Sequence, residues 1–170
     1  MTQKNTNVVR MCLNLTLILI IIASSLLSNL VTVSQYTILV ELTFIFYFHL
    51  LVPNAFPLWI VLLYGLLKDM LCIDIIGLYA LLFTSFKAAL NFQELDKTTA
   101  SKWSLWIRFS LTLLVACLIL VGAMSLIGYS FYNLLTHWLG TWMVTTLFYP
   151  LLAWVYSQSV RIIGCEHGLQ

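Results

Sequence analysis

The chain has 170 residues, of which 62% are hydrophobic and 8% charged, with a formal net charge of +2 and a mean hydropathy of +1.00. So little polar side chain cannot coat a water-soluble fold, which excludes an ordinary globular domain. The few cations are scattered rather than clustered, which excludes an electrostatic nucleic-acid surface.

What remains is an all-α, polytopic integral membrane bundle: one transmembrane domain over residues 1–170, with room for about six helices of roughly 20 residues. The first span is expected over residues 11–30, after Lys4 and Arg10. A secretory signal with Ala23, Ser24 and Ser25 at a cleavage site is the competing reading. A retained signal-anchor is expected instead, because the apolar stretch continues to Leu30 and further spans follow.

A short uncharged link with Ser34 and Gln35 leads to a second span over residues 37–52, which carries Glu41 and His49. Pro53 and Pro57 read as a tight connection, with Pro57 in the first turn of the third helix, over residues 58–73. That helix holds Gly65, Lys68 and Asp69; Asp74 and Gly77 then punctuate a turn into a fourth span over residues 78–90. Residues 91–102, with Glu94, Asp96, Lys97 and Lys102, form the main polar loop. A fifth span is expected over residues 106–127. The apolar stretch 131–160 would be about 45 Å as one helix, longer than a hydrocarbon core of about 30 Å. A short interfacial piece followed by a sixth span over residues 138–157 resolves the excess, with a bend at Pro150.

With the amino terminus inside, Lys4, Arg10, Lys97, Lys102 and Arg161 fall on the cytoplasmic side, as do Lys87 and Arg108, both expected to snorkel there. Both termini are then cytoplasmic, and the six tryptophans fall near the two interfaces.

Ionisable groups within a bilayer mark functional positions by default. Glu41, Lys68 and Asp69 fall in the outer half, and a contact between Glu41 and Lys68 on neighbouring helices is feasible. Lys68 and Asp69 point about 100° apart on a helix, so each looks for a different partner. Asp74 and His137 reach the same face, giving an outer polar cluster of Glu41, Lys68, Asp74 and His137 that reads either as a cavity or docking surface, or as a buried ion pair that fixes helix register. His49 needs no ligand role. Cys12, Cys72, Cys117 and Cys165 form no C-x-x-C pair and read as structural.

No nucleophile elbow, phosphate loop or H-E-x-x-H is present, so the chain reads as a non-enzyme with no cofactor and no metal site. Gly164 and Gly168 match G-x-x-x-G by letter only. Ser24 and Ser28, Ser25 and Asn29, and Thr141 and Thr145 give small or polar residues one turn apart, which lets membrane helices approach.

The segment Phe56-Pro57-Leu58-Trp59-Ile60-Val61-Leu62-Leu63-Tyr64-Gly65-Leu66-Leu67-Lys68-Asp69, with Asp74-Ile75-Ile76-Gly77-Leu78-Tyr79-Ala80-Leu81 after it, resembles the signature of the MreD family of rod-shape-determining proteins. In that family a proline opens a helix reading G-L-x-x-D and a glycine begins the next helix. Pro57, Gly65, Asp69, Gly77 and Pro150 are the matching positions. The chain departs from the pattern at Asp74 and its two isoleucines, where the family commonly has Pro-Leu-Gly, and at Lys68 beside the motif aspartate. The resemblance implies a non-enzymatic subunit of the cell-elongation complex in the bacterial cytoplasmic membrane, similar in architecture to the substrate-binding component of energy-coupling-factor transporters. Its implied partners are an MreC-like single-span protein and a RodA-type polymerase with a penicillin-binding transpeptidase. Two other readings stand beside it: a small-molecule or lipid binding component of a transporter, with the outer cluster lining a pocket, and an enzyme using Asp69, Asp74 and His137.

Overall fold

The computed structural model describes residues 3–26, 32–33, 36–52, 55–72, 76–92 and 102–162. Six helices account for nearly all of them: α1 (Gln3–Leu26), α2 (Val40–Leu51), α3 (Leu58–Cys72), α4 (Leu78–Phe92), α5 (Lys102–Leu126) and α6 (Phe131–Ile162). Between α1 and α2 lie two strands of two residues each, β1 (Thr32–Val33) and β2 (Tyr36–Thr37). They pair antiparallel, with Thr32 opposite Thr37 and Val33 opposite Tyr36.

That strand pair corrects the second helix, which starts at Val40 rather than at residue 37. Thr37 and Tyr36 are residues that favour extended backbone, and Leu39, at the cap, has no side chain able to bond the first turn. An external hydroxyl serves there: Leu39 N–H donates to Thr145 Oγ1 of α6 at 3.2 Å. At the start of α3 the carbonyl of Pro57 accepts from Ile60 and Val61 N–H at 3.0 and 3.2 Å. Pro57 therefore stands at the cap, one place before the first helical residue.

The sharp end of α5 has a visible cause. Gly128 takes a φ of +103°, Tyr129 N–H donates to Met124 O at 3.3 Å and Gly128 N–H to Ser125 O at 3.2 Å, the paired bonds of a glycine-terminated helix. The chain then enters α6, one helix of 32 residues with Pro150 inside it. The expected split into an interfacial piece and a separate sixth span is thus corrected. At about 1.5 Å per residue α6 is about 48 Å long, and it continues well past the start of α5 instead of breaking to fit a membrane thickness.

The most extensive helix contact is between α3 and α4, followed by α5 with α6 and α4 with α5. Where α2, α4, α5 and α6 meet, Phe109 stacks on Tyr149 with ring centroids 4.4 Å apart and meets Phe46 and Phe86 edge-on at 5.3 and 6.0 Å. Each such pair adds about 0.5–1.5 kcal/mol to area burial.

Two helical stretches, Trp103–Leu126 and Phe131–Gln158, are long and apolar enough to cross a membrane. Met11–Leu26, Val40–Leu51 and Leu78–Phe92 are apolar but shorter. The 12 residues of α2 extend about 18 Å, against a hydrocarbon core of about 30 Å.

Candidate functional site

The corner between α3 and α4 gathers most of the residues singled out in the sequence. Gly65 and Asp69 are four apart and lie on the same face of α3, the one turned to α4. A methyl group added at Gly65 would stand 2.7 Å from Ala80 N and 2.8 Å from Tyr79 O, and closer still to Ala80 Cα. Backbone meets backbone here, and only glycine permits it.

One turn on, Asp69 is 1% exposed. Its Oδ1 accepts from Tyr79 N–H at 2.8 Å, and its Oδ2 from Gly77 and Ala80 N–H at 3.0 and 3.2 Å. The first N–H groups of a helix have no partner within it and are ordinarily met by the side chain of the capping residue. The residue before α4 is Gly77, at φ +98°, which supplies the turn but no side chain. Asp69 supplies the missing acceptor from the preceding helix, and its negative charge faces the positive end of the α4 dipole.

Lys68 turns elsewhere. Its Nζ donates to Glu41 Oε1 of α2 at 2.6 Å, and stands 4.8 Å from the centroid of the Tyr79 ring. Ser24 of α1 also donates to Glu41 Oε1, while Glu41 Oε2 is buried without a partner. Glu41 and Lys68 are both buried, so the pair ties α1, α2 and α3 together instead of facing an open pocket. Breaking such a buried pair from one side costs about 3–5 kcal/mol, since the other charge is stranded. Two further bonds hold α1 to α3: Tyr64 OH donates to Asn14 Oδ1 at 2.8 Å, and Cys72 Sγ lies 3.8 Å from Ser25 Oγ.

His137 is not brought to this pair. It lies against Tyr36 and Trp138, with centroids 6.1 and 5.6 Å apart, and Trp138 in turn meets Tyr79 at 6.5 Å. Two rings separate it from Lys68. Asp74 lies outside the described residues. Among the described residues no group of three or more His, Cys, Asp or Glu could hold a metal ion.

Pro150 has its own consequence on the other side of the bundle. Proline has no N–H, so the carbonyl four residues earlier, Thr146 O, loses its helical partner. The indole N–H of Trp106 on α5 takes that place at 2.9 Å. Trp142 of α6 reciprocates by donating to Ser110 O at 2.9 Å.

Some participants carried no signal that identified them. Lys87, expected to snorkel, is buried instead, with Nζ 2.9 Å from His49 Nδ1; an ammonium only donates, so Nδ1 accepts. Tyr79 and Ala80 carried no sign of the carboxylate they would meet, and Ser24 read as a small residue of a cleavage site or of a helix approach, not as a partner of Glu41. Comparison with known protein families, with curated proteins and with solved structures finds no match.

Proposed function

We propose that the chain is a non-enzymatic, six-span membrane subunit of an MreD-like kind, a scaffold for cell elongation in the bacterial cytoplasmic membrane that binds an MreC-like single-span protein. The observation that carries this reading is the α3–α4 corner. Gly65, Asp69 and Gly77, three of the five positions in the resemblance, meet in one construction whose effect is to set the angle of two helices. A carboxylate saturated by three backbone donors is poorly placed to move protons, so its role is to hold shape.

The membrane placement is supported by the exposed apolar side chains around the bundle, among them Leu19, Leu63, Met70, Leu118 and Leu147, far more than a monomer in water keeps in contiguous patches. Six crossings follow if the shorter helices are extended by their flanking residues or lie where the bilayer thins. A transporter component would want its outer charges facing a ligand cavity; Glu41 and Lys68 satisfy each other in the interior.

The test is co-isolation. The tagged chain, co-expressed with the MreC-like protein of the same genome and extracted in mild detergent, is expected to retain it through two affinity steps. Retention of an ATPase pair in place of a single-span protein would overturn the scaffold reading in favour of transport.

A further inference from the structure

Where α5 and α6 meet, the surface carries a groove of about 490 Å³, within the range of about 300–1,000 Å³ of small-molecule sites. Trp103 and Trp106 of α5 and Trp142, Met143 and Leu147 of α6 line it. Trp106 and Trp142 have their N–H groups committed to Thr146 O and Ser110 O, so these two rings offer the groove carbon and ring faces. Its occupant is therefore largely hydrocarbon.

Thr146 also lines the groove. It is 6% exposed, and its hydroxyl has no hydrogen-bond partner. A threonine in an apolar helix ordinarily bonds back to the carbonyl four residues earlier, as Thr112 does to Arg108 O and Thr136 to Tyr132 O. Thr146 does not, which leaves its hydroxyl unpaired in a wall whose other residues are apolar apart from Ser110.

Charge decides the kind of molecule. The helices that build the groove contain Lys102, Arg108 and Arg161 and not one Asp or Glu. Lys102 opens α5 directly before Trp103, so a cation begins the helix at the end where the groove lies. A partner helix is the poorer fit: membrane helices pack along small residues, the walls are bulky, and Trp103 to Ser110 covers only about 10 Å of α5.

We infer that this groove holds an acyl chain of an anionic phospholipid, whose glycerol ester carbonyl accepts from the Thr146 hydroxyl and whose phosphate lies toward the start of α5, where the sequence has Lys102. The inference rests on the membrane placement proposed above.

The test uses the full chain reconstituted in phosphatidylcholine vesicles, with a minor fraction of either phosphatidylglycerol or phosphatidylcholine brominated on its chains to quench nearby tryptophans. The expected result is about fivefold stronger apparent association with the brominated phosphatidylglycerol, the effect of about one cation near an anionic headgroup. Thr146→Val, which keeps the side-chain shape, is expected to weaken the association of both lipids about threefold, since both carry the glycerol ester, and Lys102→Gln to abolish the preference, both with unchanged elution and helicity. Equal quenching by the two lipids, or quenching untouched by both substitutions, would overturn the lipid site and leave the membrane placement standing. Quenching by neither lipid would overturn both, or, with the chain floating with the vesicles, show the groove covered by protein and overturn the lipid site alone.

Discussion

Asp69 caps a helix to which it does not belong: its Oδ1 accepts the N–H of Tyr79 at 2.8 Å, in the second residue of α4, from a position near the end of α3. Two more N–H groups, of Gly77 and Ala80, converge on the same carboxylate. Asp69→Ala removes both acceptor oxygens, and with them three hydrogen bonds, from a buried site, and hydrogen bonds to a charged group contribute about 1.5–3 kcal/mol each, non-additively. The expected loss is about 3 kcal/mol in a denaturant titration in detergent. Asp69→Asn keeps one acceptor and should lose about half as much; equal losses for the two variants would contradict the capping role.

Gly65→Ala is expected to destabilise the chain by about 2 kcal/mol or more, in the range of overpacked interiors. The atoms in the way are backbone atoms of Ala80 and Tyr79. Shortening the neighbouring side chain therefore cannot relieve the clash, and Gly65→Ala with Ala80→Gly should be no more stable than Gly65→Ala alone. Recovery in the double variant, measured by thermal unfolding, would show that side chains and not backbones set the approach.

For the buried pair, the prediction is that the double substitution costs less than either single one. Lys68→Met or Glu41→Gln alone strands one polar partner and should cost about 3 kcal/mol. The two together leave no stranded charge and should recover most of that loss. An additive double variant would mean that the 2.6 Å contact contributes nothing specific.

Trp106 and Pro150 should be energetically coupled although they are not bonded to each other. Trp106→Phe forfeits the bond to Thr146 O and should cost about 1 kcal/mol beyond the loss of packing. Once Pro150→Ala has restored a helical N–H to that carbonyl, the same substitution should cost less. A double-mutant cycle with no interaction energy would refute the link.

Several of these relationships were legible in the chain itself. The i, i+4 spacing of Gly65 and Asp69 places them on one face whatever surrounds them, and Pro57 and Gly77 mark helix starts by backbone chemistry alone. The 100° between Lys68 and Asp69 announced that each would take a separate partner. Which partner was a tertiary matter: nothing local to Asp69 says that its acceptors would go to α4 backbone, and nothing local to Lys87 says that His49, thirty-eight residues away, would hold it inside. The unbroken α6 was hidden for another reason. A length argument that matches every helix to a membrane thickness has no means of seeing one that runs past its neighbour. The pairing of Thr32–Val33 with Tyr36–Thr37 fell mostly within what read as a short uncharged link, where two-residue strands leave no periodicity to find.

The measurement that tests the account most directly is sidedness. With the four native cysteines replaced by serine, Ser130→Cys, exposed just beyond the glycine turn that ends α5, should react with a membrane-impermeant maleimide added to intact cells. A cysteine appended after Gln170 should react only once the membrane is opened. Labelling of the carboxyl end in intact cells would mean an odd number of crossings or an inverted bundle, and the placement of the α3–α4 corner, with the scaffold role built on it, would be wrong.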